Sequence, residues 1–355
     1  MMKALLINLF CNLLLLQSCN PEKQKMTQEN FPYMVTVSAP EEYPIEVHQG
    51  YLSNGLKDLI CGVPKAGMEQ AGWHGDGSKA GQGSNVIPSH LYLTYVAYAE
   101  KKFYTVDADL PKDKILQLFR QGFLVQDNSK QTIVDGQEHY EMVPGTYDTF
   151  TIGAAPGGII VIWLSGNHHR TEVCRLQAKE VFVDKNDFMG FTDTTESQQQ
   201  FFDELYKITV PDSIKAEITK SGIPFGLWDK YREKFNYRFV LNPYDEEDNF
   251  THNYYLYFNG EADELFAKDL EKNEYLSRGI PYNCTYIMKK YSTEIFFNDK
   301  EMLEVFNNLK SKHPDKPIDI IITPTFMYND MKVSVKCEDE IIPLTKYQVK
   351  GVWGG

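Results

Sequence analysis

The chain has 355 residues, 42% of them hydrophobic and 24% charged, a balance that suits about two soluble globular domains and excludes extended disorder, collagen-like repeats and a multi-span membrane protein. Its 22 Tyr, 21 Phe and 4 Trp favour strand-rich structure with large buried rings. A formal charge of −13 repels phosphate backbones, so no nucleic-acid partner is expected.

Residues 1–18, MMKALLINLFCNLLLLQS, set one cation, Lys3, before an apolar run from Ala4 to Leu16 and close on the small Ser18. That is the layout of a secretory signal peptide, with a run too short to span a membrane comfortably. Cys19 follows, so Leu16-Gln17-Ser18-Cys19 is similar to the bacterial lipobox, whose cysteine takes a diacylglycerol and becomes the acylated mature N-terminus. The alternative is an ordinary secretory signal that contains a cysteine. Loss of Lys3 with the leader lowers the charge from −13 to −14. Several acyl chains hold firmly where one does not, so the expectation is a protein anchored to a membrane without crossing it. The polar residues 19–30 form a tether. Asn20 is not the aspartate that retains lipoproteins at the inner membrane, which favours the outer membrane of a bacterial envelope.

With Cys11 removed and Cys19 lipidated, Cys61, Cys174, Cys284 and Cys337 remain. They allow three disulfide pairings, and an envelope location leaves both disulfides and buried thiols open. Their spacing contains no CxxC pair, which argues against a zinc site.

Along the mature chain, alternating runs such as Tyr43–Val47 predict strands between Tyr33 and Val63. Gly62–Asn85 is glycine-rich and is expected to be too flexible for a regular element. Strands resume at His90–Ala99 and Lys102–Val106. Asp109–Ile115 opens a helix with Ile115, Leu118 and Phe119 on one face and a stop near Gly122. Further strands are predicted around Glu138–Val143 and at Gly158–Ser165, the latter apolar enough to be buried on both faces. From Thr194 to about Tyr237 the period becomes helical, with Phe201, Phe202, Leu205 and Tyr206 at helical spacing. A second strand-rich region follows, enclosing a helix over Asp299–Lys310 with Asn298 as its N-cap. The predicted fold is α+β: two strand-rich lobes, 31–190 and 237–355, joined by a helical segment over 191–236.

Read together, the lipobox start, YPIEVHQGYL, GWHGDG, IPSHLYLTYVAYAEKKFY, DLPKDKILQLF, APGGIIVIWLSG and FGLWDKYREKFNYRF resemble a family of bacterial lipoproteins known as domain of unknown function 2931, over most of residues 30–300. The resemblance brings no catalytic residues. It implies envelope lipoproteins, sometimes encoded beside antibacterial toxins, and hence immunity proteins.

Two loops concentrate the remaining chemistry. Gly72-Trp73-His74-Gly75-Asp76-Gly77-Ser78-Lys79 is reminiscent of a phosphate loop, but the Walker A order needs Gly-Lys followed by Ser or Thr. It is either a surface loop anchored by Trp73 or a partner-contacting loop. His168, His169 and Arg170 follow the apolar strand; two histidines could ligate metal, but no HExxH-type partner spacing accompanies them. No GxSxG nucleophile elbow is present. Asp245–Asp248 lacks the glycine and distal glutamate of a hand-type calcium loop and reads as a solvated hairpin tip. The expectation is therefore a non-catalytic, outer-membrane lipoprotein without metal or cofactor, which binds a protein partner, a toxin being the candidate. Trp73, His74, Asp76, His168, His169 and Arg170 are its candidate contacts. A glycan-binding or glycan-processing lipoprotein is the alternative.

Overall fold

In the computed structural model, Ile159–Gly166 is covered on both faces and its residues through Ser165 are all buried, as the unbroken apolar run IIVIWLS requires. The structure describes residues 30–354 except 56–57, 66, 70–71, 82–84, 135–136, 245–249, 289–290 and 326–329. The expected leader, Cys19, the expected tether through Glu29 and the acidic run Asp245–Asp248 lie outside the described residues. The chain divides into Met1–Phe31 and a compact unit, Pro32–Gly355.

The architecture is mixed α+β and rich in strands. Among the described residues, the largest sheet has ten strands in the order Tyr347–Gly354, Tyr291–Phe297, Pro281–Met288, Phe250–Tyr257, Ala262–Phe266, His169–Gln177, Ile159–Gly166, Thr149–Ala155, Met34–Ser38 and Lys79–Gly81. Strands from the first 180 residues and strands from beyond 249 meet in its middle, where His169–Gln177 and Ala262–Phe266 pair only at Arg170 and Ala262. A second sheet holds Lys179–Val181, Lys102–Asp109, His90–Ala97, Ile45–Ser53 and Leu59–Gly62, with Met68–Glu69 on Ile45–Ser53. A third runs Leu276–Arg278, Phe235–Leu241, Ile318–Pro324, Met331–Cys337 and Glu340–Pro343. Phe123–Val134 and Gln137–Gly145 form a separate two-stranded ribbon.

The helices between the two strand-rich stretches are Lys185–Met189, Gln198–Thr209, Asp212–Ser221 and Leu227–Tyr231. Ser197 and Gln200 close a capping box at the start of Gln198–Thr209, satisfying two amides that the first turn leaves open. The predicted cap of the C-terminal helix is present: Asn298 Oδ1 accepts from the Glu301 amide at 3.0 Å, and the helix spans Asp299–Lys312. Lys112–Gln121 ends at Gly122 as its sequence predicts. The core joins Trp163, Trp73 and Trp228 to Tyr237, Tyr255, Tyr257, Tyr286 and Phe306.

The glycine-rich stretch corrects the expectation of an irregular loop. It contains Met68–Glu69 and Lys79–Gly81, the latter paired with Met34–Ser38, and Trp73 pins it to the core. The four cysteines are free thiols, three buried and Cys174 half-buried.

Candidate functional site

Gly166–Arg170 is not an open loop. Asn167 and His168 take left-handed backbone angles, φ 45° and 64°, between the paired residues Gly166 and His169. This is the two-residue hairpin whose twist matches its strands. It delivers Arg170 as the second residue of the next strand, facing Ser165 on one side and Ala262 on the other.

Arg170 is 5% exposed. Its guanidinium lies 4.3 Å from the Trp163 ring centre, and Nη1 donates to the Gly75 carbonyl at 3.4 Å. Nε and Nη2 are buried without a hydrogen-bond partner. Burial pushes its pKa down to about 10, against the opposing field of Asp76.

The Gly72–Gly77 turn seats itself on the first strand. The Ser38 hydroxyl donates to the Gly72 carbonyl at 2.8 Å, and the Gly77 amide to Val37 at 3.0 Å. Trp73, 6% exposed, meets Trp163 edge-on and lies 6.4 Å from Trp228. His74 is held between a stacked Tyr282, 4.4 Å away at 6°, and the Tyr257 carbonyl, 2.5 Å from Nε2. That contact places its proton on Nε2. Burial drives its pKa down to about 4, the Tyr257 bond resisting and Arg170 adding to the fall, so it is a neutral packing histidine at physiological pH. Asp76 accepts from the Thr151 hydroxyl at 3.2 Å and pairs with Lys79 at 3.1 Å.

The structure thus brings Trp73, His74, Asp76 and Arg170 together, as a plug over the seam between the two parts of the large sheet. His168 and His169 turn elsewhere: His168 sits 4.5 Å from the Tyr254 ring and His169 stacks on Phe123 at 4.1 Å. No group of three or more metal-type side chains is gathered among the described residues. The plug is braced by charge. Arg232 grips Glu172 at 2.7 and 3.0 Å, and Arg175 grips Asp229 at 2.9 and 3.0 Å. Lys234 lies 2.7 Å from Glu261, which also accepts from the Glu172 amide. Paired forks of this kind fix geometry as well as adding energy.

Two further clusters lie outside the candidate contacts, although the alternating tyrosine runs Tyr92–Tyr104 and Tyr254–Tyr257, which suit core and sheet faces or a carbohydrate-stacking surface, mark part of each in the sequence. Tyr254 and Glu264 face each other across paired strands, with His252 Nε2 3.0 Å from the Tyr254 hydroxyl. Glu264 is 8% exposed, and burial pushes its carboxyl up to about 7 despite the Tyr254 hydroxyl. The period-2 pattern His252, Tyr254, Leu256 was the available signal. Elsewhere, Tyr51 and Tyr92 stack at 5.1 Å beside His90, whose nitrogens lie 2.6 Å from Asp107 and 3.0 Å from Asp109. Burial opposes charge on His90, but the hydrogen bonds its protonated ring donates to Asp109 and Asp107 outweigh it and raise its pKa.

No curated protein and no solved structure matches the chain. A family model described as "Protein of unknown function (DUF2931)" matches residues 20–226, starting one residue after Cys19 and stopping before the helix Leu227–Tyr231. Because that match covers more than half of the chain, the protein belongs to the DUF2931 family.

Proposed function

We propose that the protein is a bacterial outer-membrane lipoprotein, tethered through Cys19, whose folded part binds a protein partner without catalysis and neutralises an envelope-acting toxin. The observation that carries this reading is Leu16-Gln17-Ser18-Cys19 lying directly before the first matched residue of the family. In this reading the unit that the family shares begins where the acylated mature chain begins, and two strand-rich lobes meeting at Arg170 and Ala262 form its scaffold. Buried Trp73 and Arg170 hold the scaffold, while Asp76, Lys79 and His168 are the parts of the two loops left for contact. Phe182 and, in the helical segment, Phe191, Ile208 and Phe225 add exposed apolar side chains, and aromatic side chains are enriched at interface cores.

The test is fractionation with fatty-acid labelling. Cys19→Ser is expected to lose the label and move to the soluble envelope fraction; a labelled mutant protein rejects the anchor. For binding, capture of a toxin encoded next to this gene should fall in Phe182→Ser and Phe225→Ser variants that melt normally.

The stacked Tyr51–Tyr92 pair, flanked by Asp107, Asp109 and His90, favours glycan binding as a second reading. Flat aromatic faces beside carboxylates suit sugar rings. Retention on envelope polysaccharide that Tyr51→Ala abolishes would select it over the toxin.

A further inference from the structure

Between Phe235–Leu241, Ala262–Phe266, the helix Ala267–Lys272 and the strand Leu276–Arg278 lies a cleft of about 240 Å³. Phe239 and Tyr255, stacked at 4.6 Å and 9°, line it together with Leu241, Leu265, Leu270 and Leu276. Arg278 also lines it, though only 7% of its side chain is exposed.

Arg278 differs from the other paired arginines of the fold. Arg175 and Arg232 hold carboxylates with two hydrogen bonds each, and Arg238, on the same cleft, holds Asp319 at 2.8 Å. Among the described residues the nearest carboxylate oxygen to Arg278 is Asp263 Oδ2, 3.8 Å from Nε, outside hydrogen-bond range. That oxygen already accepts from the Tyr257 hydroxyl at 3.0 Å. Among the described residues the Arg278 guanidinium therefore has no hydrogen bond. A buried guanidinium is costly unless its donors are met, and these donors border an apolar cleft. The remaining cation on the lining, Lys272, is paired with Asp269 at 3.1 Å.

We propose that this cleft binds a small monocarboxylate with an apolar body, its carboxylate on Arg278 and its chain over Phe239 and Tyr255 between the leucines. The planar fork of arginine matches a carboxylate better than a single-point anion does. With Arg238 and Lys272 already paired, Arg278 is, among the described residues, the one lining cation left to meet a negative group, which favours a ligand with a single carboxylate. The volume falls below the range of roughly 300–1,000 Å³ found for drug-sized ligands, which sets the ligand on the order of ten heavy atoms. The inference is independent of the toxin reading and of the lipid anchor.

The experiment is calorimetric titration of the full mature chain with octanoate and, separately, octan-1-ol, which keeps the chain and removes the charge. Octanoate should bind at least about tenfold more tightly than octanol, and Arg278→Gln should cost octanoate at least about tenfold in affinity while leaving octanol unchanged. Because Arg278→Gln can also disturb folding, Leu270→Trp supplies a second test: it fills the cleft from its helical wall and should abolish binding of both at an unchanged melting temperature. Absence of octanoate binding to the wild-type chain, equal affinity for octanol, or undiminished binding by a folded Arg278→Gln or Leu270→Trp variant would each overturn the proposal.

Discussion

The indole of Trp73 meets that of Trp163 edge-on, with ring centres 4.8 Å apart and planes at 83°. An exposed contact residue would not be placed this way. A T-shaped pair of buried indoles adds about 0.5–1.5 kcal/mol beyond the area it buries, and this pair ties the glycine-rich turn to the central strand. Trp73→Ala should therefore behave as a core truncation, costing about 3–5 kcal/mol and lowering the melting temperature. Partner capture should fall only in proportion to the unfolded fraction. A Trp73→Ala protein that melts with the wild type but loses its partner would return Trp73 to a contact role.

Gly260 sets a sharper version of the same packing. Its φ is +82°, and a Cβ there would lie 2.6 Å from Trp163 Cζ2. Gly190 has nearly the same backbone, φ +75°, with open space around it. Replacing either with alanine incurs a left-handed penalty of about 1–2 kcal/mol. Only Gly260→Ala should add the further 1–3 kcal/mol or so of overpacking. Equal urea midpoints for the two variants would contradict the packing assigned to Trp163.

Glu264 predicts a pH dependence of defined sign. Its folded-state carboxyl is raised to about 7 by burial, above the ordinary value of 4.5. Below about pH 4.5 both states hold the proton and no penalty exists. Between 4.5 and 7 the folded state holds more protons than the unfolded, so stability falls as pH rises, and the penalty is complete above 7. Its size is on the order of 1–3 kcal/mol. His74 acts oppositely: its depressed value, about 4, gives stability that is present above pH 6.5 and lost as pH falls toward 4. The wild-type profile mixes the two, so the useful measurement is the difference between Glu264→Gln and wild type. That difference should be small at pH 5 and favour the glutamine variant at pH 8. A flat difference across this range would show that Glu264 ionises without penalty.

Much of this was legible in local pattern, and the illegible part has a physical reason. Ile159–Ser165 announced a doubly covered strand because its run is apolar up to the closing serine. Asn298 and Gly122 marked helix ends because caps are local chemistry. Phe123–Val134 did not read as a strand: its middle, Gln126 to Thr132, is polar, and it is matched by one partner strand alone. The pairing of Arg170 with Ala262 joins residues too far apart in sequence for any window to register. Trp73 was readable as anchor or contact, and only the position of Trp163 decides between them. Glu264 sits in an alternating strand and Arg278 closes a three-residue one, so their burial depends on what packs over them.

The cysteines offer a chemical check. Cys61, Cys284 and Cys337 are buried, and burial raises the Cys174 thiol to about 11, so little reactive thiolate is present at neutral pH. Four thiols beyond Cys19 should titrate with a thiol reagent only after unfolding, and dithiothreitol should leave the melting temperature unchanged. A lowered melting temperature in dithiothreitol would reveal a disulfide.

Arg170 separates structural from binding roles most cleanly. Its stem and guanidinium pack on Trp163 at 4.3 Å, while two of its nitrogens stay buried and unpartnered. Such a charge contributes less than its contacts suggest, because desolvation offsets the gain, and an apolar replacement of similar volume is often neutral or stabilising. Arg170→Met should therefore keep the fold within about 1 kcal/mol of wild type, whereas Arg170→Ala opens a cavity beside Trp163 and should cost about 2–4 kcal/mol. Asp76 provides the control, since its charge favours the ionised arginine. Asp76→Asn should cost more in the wild-type background than in the Arg170→Met background, with a coupling of about 0.5–2 kcal/mol in the double-mutant cycle. If the arginine serves only the fold, Arg170→Met also retains the partner. A stable Arg170→Met protein that loses partner capture would instead show that this guanidinium leaves its place over Trp163 to reach the partner, and the plug would then be a moving part.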